Sequence, residues 1–406
     1  MKSASCSLTP TWRICVLTDH FDIVVVGGGI HGVGVAQAAA CAGYSVLLLE
    51  QSALAAGTSS RSSKLIHGGL RYLEGFDVGL VHESLTERAI LLKIAPELVR
   101  LKPFFIPVYP ETSRRPLTLR AGLSLYAILG SLKRENRFRE LARSEWRALD
   151  GLRPDNLQAV FQYYDAQTND ADLTHAVMHS AIEFGAELRC PAEFLSADIG
   201  ASGCEVSYRQ GDTDRTCTSS AVVNAAGPWV NTVSERISPL PARMPVDLVQ
   251  GTHLVLDEGL DAGCYYMEAP QDQRAIFLLP WGKQSMLGTT ENLYSGEPAA
   301  VTPLAQEVDY LLEVLQHYFP HRSQQVIDSF AGLRVLPAAD SAAFKRTRET
   351  QLPVDNPRLP RLLAIVGGKL TGYRATAAKV MHTLRRSLPD RRSRANTATL
   401  ALKPVT

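Results

Sequence analysis

Phe21-Asp22-Ile23-Val24-Val25-Val26-Gly27-Gly28-Gly29-Ile30-His31-Gly32-Val33-Gly34 is the stretch on which the fold turns. Its first half is an apolar, β-branched run, the pattern of a parallel strand buried on both faces. Gly27, Gly29 and Gly32 then spell GxGxxG. An Ala-rich helical segment follows from about Ile30 to Ala42 and stops at Gly43. A second apolar run, Ser45 to Leu49, ends on Glu50. Strand, glycine turn, helix, strand and terminal acid make a complete βαβ unit of the dinucleotide-binding kind. The first glycine permits the tight turn, the second lets backbone approach a pyrophosphate, and the third lets helix and strand pack closely. The helix N-terminus offers unpaired N–H groups and the positive end of its dipole to the phosphates. Glu50 stands where a carboxylate accepts hydrogen bonds from ribose hydroxyls, and it would repel a 2′-phosphate. The fingerprint by itself accommodates NAD or FAD.

Around this unit the chain is an ordinary globular one. Its 406 residues predict two or three structural units at about 150 residues each. With 45% hydrophobic and 20% charged residues, it falls outside the disordered, collagen-like and disulfide-scaffold classes. Forty-two Lys and Arg against 41 Asp and Glu leave a net charge of +1, which argues against nucleic acid as a partner. The seven cysteines (Cys6, Cys15, Cys41, Cys190, Cys204, Cys217 and Cys264) are scattered and form no CxxC pair. No metal site is expected, and a reducing compartment suits them. Residues 1–20 hold only a short apolar run, Ile14 to Leu17, and read as a disordered extension. No segment approaches the length of a membrane span.

Further along, residues 57–75 read as an extended Gly/Ser loop and residues 78–101 carry helical spacing. Residues 102–150 mix Pro, Arg and an apolar patch. A helix is expected over Asp172–Phe184, with strands near 186–190, 204–209 and 221–224. Beta-rich stretches at 251–256, 275–280 and 285–289 surround a helix near 303–318. Glycine-rich turns are expected at 331–334 and 366–372, then a helix over 373–386 and a basic tail.

Thr58-Ser59-Ser60-Arg61-Ser62-Ser63-Lys64-Leu65-Ile66-His67-Gly68-Gly69-Leu70-Arg71-Tyr72-Leu73-Glu74 resembles the signature of FAD-dependent glycerol-3-phosphate dehydrogenases, within the D-amino-acid-oxidase-like flavoproteins. Asn224-Ala225-Ala226-Gly227-Pro228-Trp229-Val230, Gly251-Thr252-His253, Gly288-Thr289-Thr290-Glu291, Ala331-Gly332-Leu333-Arg334 and Gly367-Gly368-Lys369-Leu370-Thr371-Gly372-Tyr373-Arg374 resemble the same family in the same order. The resemblance spans about residues 20–385. Family members continue into a helical C-terminal domain that these residues do not include.

The resemblance implies FAD as cofactor, held at Gly27, Gly29, Ile30, Gly32 and Glu50 of the fingerprint. It adds Thr58, Ser59, Ser63, Lys64, Leu65 and His67 from the long signature, and Ala226, Gly227 and Trp229 from the second. Gly332, Gly368, Lys369, Leu370 and Thr371 complete the set. Small hydroxyl residues at 58–63 can donate to phosphates and ring edges without filling space. Gly367 and Gly368 let backbone approach the flavin ring, where an N–H stabilises negative charge on the reduced ring.

The implied substrate, sn-glycerol 3-phosphate, is a small dianion with a secondary alcohol. Arg71, Arg334, Arg348 and Lys369 are the expected cations, because guanidinium forks match phosphate geometry. Tyr72 and Thr290 are expected to hydrogen-bond the substrate. Histidine is the natural base near neutral pH, and His67 and His253 both lie in matching motifs. Arg334 stays protonated and suits a phosphate clamp that also stabilises a developing alkoxide.

A single dinucleotide fingerprint leaves no second site for NAD, so electrons pass to a membrane quinone or to oxygen. Pro116–Leu132 is apolar at Leu117, Leu119, Leu123, Leu125, Tyr126, Ile128 and Leu129, with Arg114, Arg115, Arg120, Lys133, Arg134, Arg137 and Arg139 around it. That composition fits a core helix or an interfacial element on the cytoplasmic face of an anionic membrane. The expectation is an α/β (α+β) protein, a Rossmann-like FAD-binding domain with an inserted β-sheet substrate domain. Residues 20–75, 161–227 and 331–385 form the first, 76–160 and 228–330 the second, and 386–406 a basic tail. The expected activity is oxidation of sn-glycerol 3-phosphate to dihydroxyacetone phosphate in the cytoplasm, with a homodimer compatible. Two alternatives stand beside it: a sibling flavoenzyme using another small hydroxy compound or oxygen, and a non-catalytic FAD-binding protein.

Overall fold

The computed structural model describes residues 19–73, 75, 77–338 and 349–405, without the side chains of Arg71 and Arg134. Arg348, Glu74 and residues 1–18 of the expected N-terminal extension therefore lie outside the described residues. Asp19 and His20, expected in that extension, instead begin the first strand, Asp19–Val26.

Among the described residues two sheets carry the architecture. In the first, Asp19–Val26 runs parallel to Val46–Leu49, which runs parallel to Ala186–Arg189. On its other side lies Thr213–Asn224, also parallel, followed by Leu362–Ala364. The start of Thr213–Asn224 pairs instead with Cys204–Gln210 in an antiparallel meander that continues to Glu193–Ile199. Ile23, Val24, Val25, Leu47 and Leu48 are wholly buried, which is why these strands read as unbroken apolar runs. Helices Ile30–Cys41, Asp170–Glu183 and Tyr373–Leu384 share one core with this sheet. Ala36, Ala39 and Ala40 let the first helix approach, and a Cβ at Gly34 would lie 2.8 Å from the Tyr373 ring.

The second sheet joins Val246–Leu256, Gln284–Gly288, Ala275–Trp281, Cys264–Glu268, Val99–Val108 and Ala159–Thr168 in that order. Val326–Pro337 pairs along Val246–Leu256. Helix Ala305–Tyr318 packs on one face, and helices Val78–Ile94 and Pro116–Leu129 contribute to the core on the other.

The sheets divide the chain differently from the expected boundaries. Ala159–Thr168 belongs to the second sheet, so the break expected at 161 falls after Thr168. Residues 331–334, expected as a turn, lie inside the strand Val326–Pro337. Gly332 serves close packing there, since a Cβ would come 2.5 Å from the Arg61 carbonyl oxygen. Val99–Val108 was hidden by Pro103 and Pro107, which lower strand propensity.

The basic tail folds back on the first domain. Arg391 pairs with the buried Asp22 at 3.1 Å, Arg394 NH1 donates to the Phe184 carbonyl oxygen at 3.1 Å, and Leu402 is buried in the first core. Burial pushes the Asp22 carboxyl up, but hydrogen bonds from Arg391 and Ser45 outweigh it and hold it below the usual range.

Candidate active site

The parallel strands end together at Val26, Leu49, Asn224 and Ala364, and a cavity of about 440 Å³ opens there. Its floor is backbone. Gly27 has φ +111°, and a Cβ on it would sit 2.7 Å from the Ala225 carbonyl oxygen. A Cβ on Gly32 would collide with the Gly27 carbonyl oxygen. Helix Ile30–Cys41 is therefore locked against its strand, and its first residues, Ile30 and His31, line the cavity. The Glu50 carboxylate accepts from Gly28 N at 2.7 Å and from Ser52 N at 2.8 Å. Ser59 Oγ accepts from Ile30 N at 2.9 Å.

The 57–66 strap crosses this cavity and is anchored from behind. Asp170, wholly buried at the start of its helix, accepts from Ser62 N at 3.0 Å, Ser62 Oγ at 2.7 Å and Lys64 Nζ at 2.6 Å. Lys64 Nζ also donates to the Ser60 carbonyl oxygen at 2.7 Å. Lys64, expected to contact cofactor, thus holds the strap's shape instead, because its ammonium is spent on Asp170 and the backbone.

A second, smaller pocket of about 80 Å³ adjoins the first. Its walls include His67, Tyr72, Tyr163, Tyr266, Phe277 and Thr289, with the charged Arg274, Glu291 and Arg334. Arg334 lines both cavities and pairs with Glu291 at 2.8 Å. Lys369 lines the first cavity, and its ammonium lies 3.9 Å from the centre of the Tyr72 ring, which lines the second. The turn bearing His67 and Gly69 is held by Tyr126, whose hydroxyl accepts from Gly68 N at 2.9 Å and donates to Asp165 at 2.8 Å.

The two candidate histidines part company here. His67 faces the smaller pocket, edge-on to Phe277 at 6.3 Å between ring centres. His253 lies behind the wall, buried and stacked on Phe330 at 5.0 Å, with Nε2 2.9 Å from Ser63 Oγ. Burial, with the charges of Arg334 and Lys64, holds the His253 imidazole neutral, its pKa well below the ordinary value.

Thr290, expected at the substrate, points away from it. Its hydroxyl accepts from Thr252 N at 2.9 Å and donates to Glu307 at 2.6 Å, and Thr289 faces the pocket in its place. Glu307 also accepts from Thr252 Oγ1 and Gln250 Nε2 at 2.6 Å each and from Asn292 Nδ2 at 2.7 Å. Burial raises its pKa, but these hydrogen bonds outweigh that and keep it below its ordinary value. Gly251 leaves the room this requires: a Cβ would come 2.6 Å from Thr289 Oγ1 and 3.1 Å from Arg334 NH2.

Most of the remaining expected residues come together. Gly29, Ile30, Thr58 and Ser59 line the cofactor cavity from one side, Ala226, Gly227 and Trp229 from another, and Gly332, Gly368, Lys369 and Leu370 close it. Ser63 and Leu65 face the smaller pocket. Thr371 is buried beneath it, accepting from His67 N at 3.1 Å. Backbone Arg71 lies on the turn Leu70–Leu73 beside Tyr72. Arg274, Glu291, Phe277 and Tyr266 had not been expected. Arg274, Phe277 and Tyr266 come from a hairpin with no motif of its own, while Glu291 ends the Gly288–Glu291 motif, which had assigned it no role.

Residues 22–377 match the family model described as FAD dependent oxidoreductase. The chain is 36% identical over 378 residues to the D-erythritol 1-phosphate dehydrogenase of Brucella abortus, covering 91% of this chain and 74% of that one. It is 37% identical over 377 residues to the glycerol-3-phosphate dehydrogenase of Pseudomonas aeruginosa, covering 91% and 72%. The crystal structure of the Bacillus halodurans glycerol-3-phosphate dehydrogenase complexed with FAD superposes with a TM-score of 0.73 at 27% identity, covering 94% of this chain and 68% of that one. The residues present fit the cofactor: glycine backbone at 27–29 lining the cavity, the positive end of helix Ile30–Cys41 beside it and a carboxylate at Glu50.

Proposed function

This chain belongs to the FAD dependent oxidoreductase family, and on that premise we propose that it oxidises sn-glycerol 3-phosphate to dihydroxyacetone phosphate and passes the electrons to a membrane quinone. The observation that carries the reading is Arg334, which borders the cofactor cavity and the small cationic pocket at once. A substrate held by that guanidinium lies against the cofactor.

Bound FAD supplies the acceptor for the hydride that leaves the carbinol carbon. Arg334 and Lys369 bind the phosphate and offset charge developing on the alcohol oxygen. His67, on the pocket wall, takes the hydroxyl proton. His253 acts behind it, holding Ser63 through its ring nitrogen. Tyr163, Tyr266 and Phe277 keep water from the reacting carbon.

The relative from Brucella abortus favours a second reading, a longer phosphorylated polyol. Anaerobic addition of glycerol 3-phosphate to the FAD-loaded protein should bleach the flavin's visible absorbance within the mixing time of a spectrophotometer. Bleaching by a tetritol phosphate but not by glycerol 3-phosphate would transfer the assignment. Reoxidation by a quinone analogue without peroxide supports the quinone over oxygen.

Membrane contact is supported by helix Pro116–Leu129. Leu119, Leu123 and Tyr126 are buried, while Leu117 is 80%, Ile128 59% and Leu132 58% exposed, beside Arg120 and Lys133. No helix among the described residues is long and apolar enough to cross a membrane. Binding to anionic vesicles at low salt is expected, and its absence would remove the membrane from the reading.

A further inference from the structure

His31 is the x in GxGxxG immediately before Gly32, a position for which the fingerprint prescribes no side chain. In this chain it is an imidazole in the first turn of helix Ile30–Cys41, on the wall of the cofactor cavity. Its Nδ1 is buried and has no hydrogen-bond partner. Nε2 is turned toward Gly368, so closely that a Cβ on Gly368 would collide with it. Gly368 has φ +102° and lines the same cavity, so the histidine and the glycine turn shape each other.

A neutral imidazole carries one N–H and one bare nitrogen, and the surroundings choose which is which. Burial holds the pKa of His31 down to about 4, so the ring is neutral through the physiological range. A buried donor without an acceptor is costlier than a buried lone pair without a donor. The proton therefore belongs on Nε2, the nitrogen facing the Gly368 turn and the cavity, and the partnerless Nδ1 is the bare one. The remaining roles for this side chain fail among the described residues: no His, Cys, Asp and Glu cluster could hold a metal, and no protein hydrogen bond or ion pair uses the ring. What is left is a fixed, uncharged N–H donor presented to whatever fills the cavity.

We propose that His31 is a cofactor-binding residue, its Nε2–H donating a hydrogen bond to an oxygen or nitrogen acceptor of the bound FAD near the Gly367–Gly368 turn. Such a donor tightens the cofactor and tunes its electron affinity without adding charge beside the helix dipole. The inference rests on FAD occupying this cavity, and the wild-type protein, run in parallel, reports on that occupancy separately.

The test is FAD release from the holoprotein on dilution, followed by flavin fluorescence, with the flavin midpoint potential measured on the same samples. His31→Leu should release FAD about tenfold more readily, about 1.4 kcal/mol, and shift the potential. His31→Gln, which keeps a donor, should stay within about threefold of wild type. Unchanged release and potential in His31→Leu would overturn the proposal. Equal loss in both variants would also overturn it, since packing rather than the donor would then be at work. If His31→Leu does not fold, wild-type protein labelled with 15N-histidine decides. A His31 Nε2–H resonance that moves when FAD is removed supports the contact, and one that stays put refutes it.

Discussion

The cofactor cavity and the pocket beside it share Arg334 but are built from different materials. The cavity is floored by backbone: Gly27, Gly28 and Gly29, the start of helix Ile30–Cys41 and the Glu50 carboxylate, gathered from neighbouring strand ends. The pocket is a side-chain site, with aromatic walls and paired charges drawn from residues 63–72, Tyr163, one hairpin of the second sheet, the 289–291 loop and the strand Val326–Pro337. A backbone site fails when atoms are added. A side-chain site fails when atoms are removed or exchanged.

The sharpest way to break that contrast is Gly32→Ala. One methyl group would meet the Gly27 carbonyl oxygen, and backbone cannot swing aside. A loss of at least about 4 kcal/mol is expected, read as absence of folded, flavin-bearing protein. A stable yellow variant would show that the helix can back away from its strand. Arg334→Lys should do the opposite. The protein should keep its FAD and lose about 100- to 1,000-fold in turnover, roughly 3 to 4 kcal/mol of transition-state stabilisation, because an ammonium cannot reproduce the guanidinium fork. Near-normal turnover would take Arg334 out of the pocket's chemistry.

Acid sharpens the comparison from the cofactor side. His31 is neutral in the folded protein, with a pKa of about 4 against 6.5 in an unfolded chain. Between those values the unfolded state binds the extra proton, so stability is full above about pH 6.5 and falls as pH drops toward 4. The slope for one proton is about 1.4 kcal/mol per pH unit. Denaturant titrations of His31→Gln should show that much less slope, and an unchanged slope would mean that the ring is solvated. The smallest effects come from adjacent threonines. Thr290→Val leaves Thr252 N and Glu307 short of a partner and should cost about 1 to 3 kcal/mol of stability. Thr289→Val should leave stability alone and raise KM less than tenfold. Reversed results would put Thr290 back in the pocket.

Thr289 and Thr290 also show where reading a sequence reaches its limit. They sit in the short loop between the strands Gln284–Gly288 and Asn292–Tyr294, where the motif names the pair but the path of the backbone decides which member meets the pocket. Lys64 teaches the same lesson, since its buried partner Asp170 lies 106 positions away. Arg274 and Phe277 had no local signal at all. By contrast Gly27, Gly32 and Glu50 sat where the fingerprint put them, because their task depends on a turn and a helix start within one βαβ unit.

What the sequence determined by itself was local: the cofactor unit, the order of the family motifs and the helices with clear caps or spacing. Tertiary structure alone decided which side chains share the pocket, which histidine faces it, and that the basic tail folds onto Asp22 and Cys41. The reason is physical. Backbone conformation and short-range packing are written in residues a few positions apart. The pocket depends instead on strand pairings such as Val249 with Arg334, whose register is set by burial across the whole sheet.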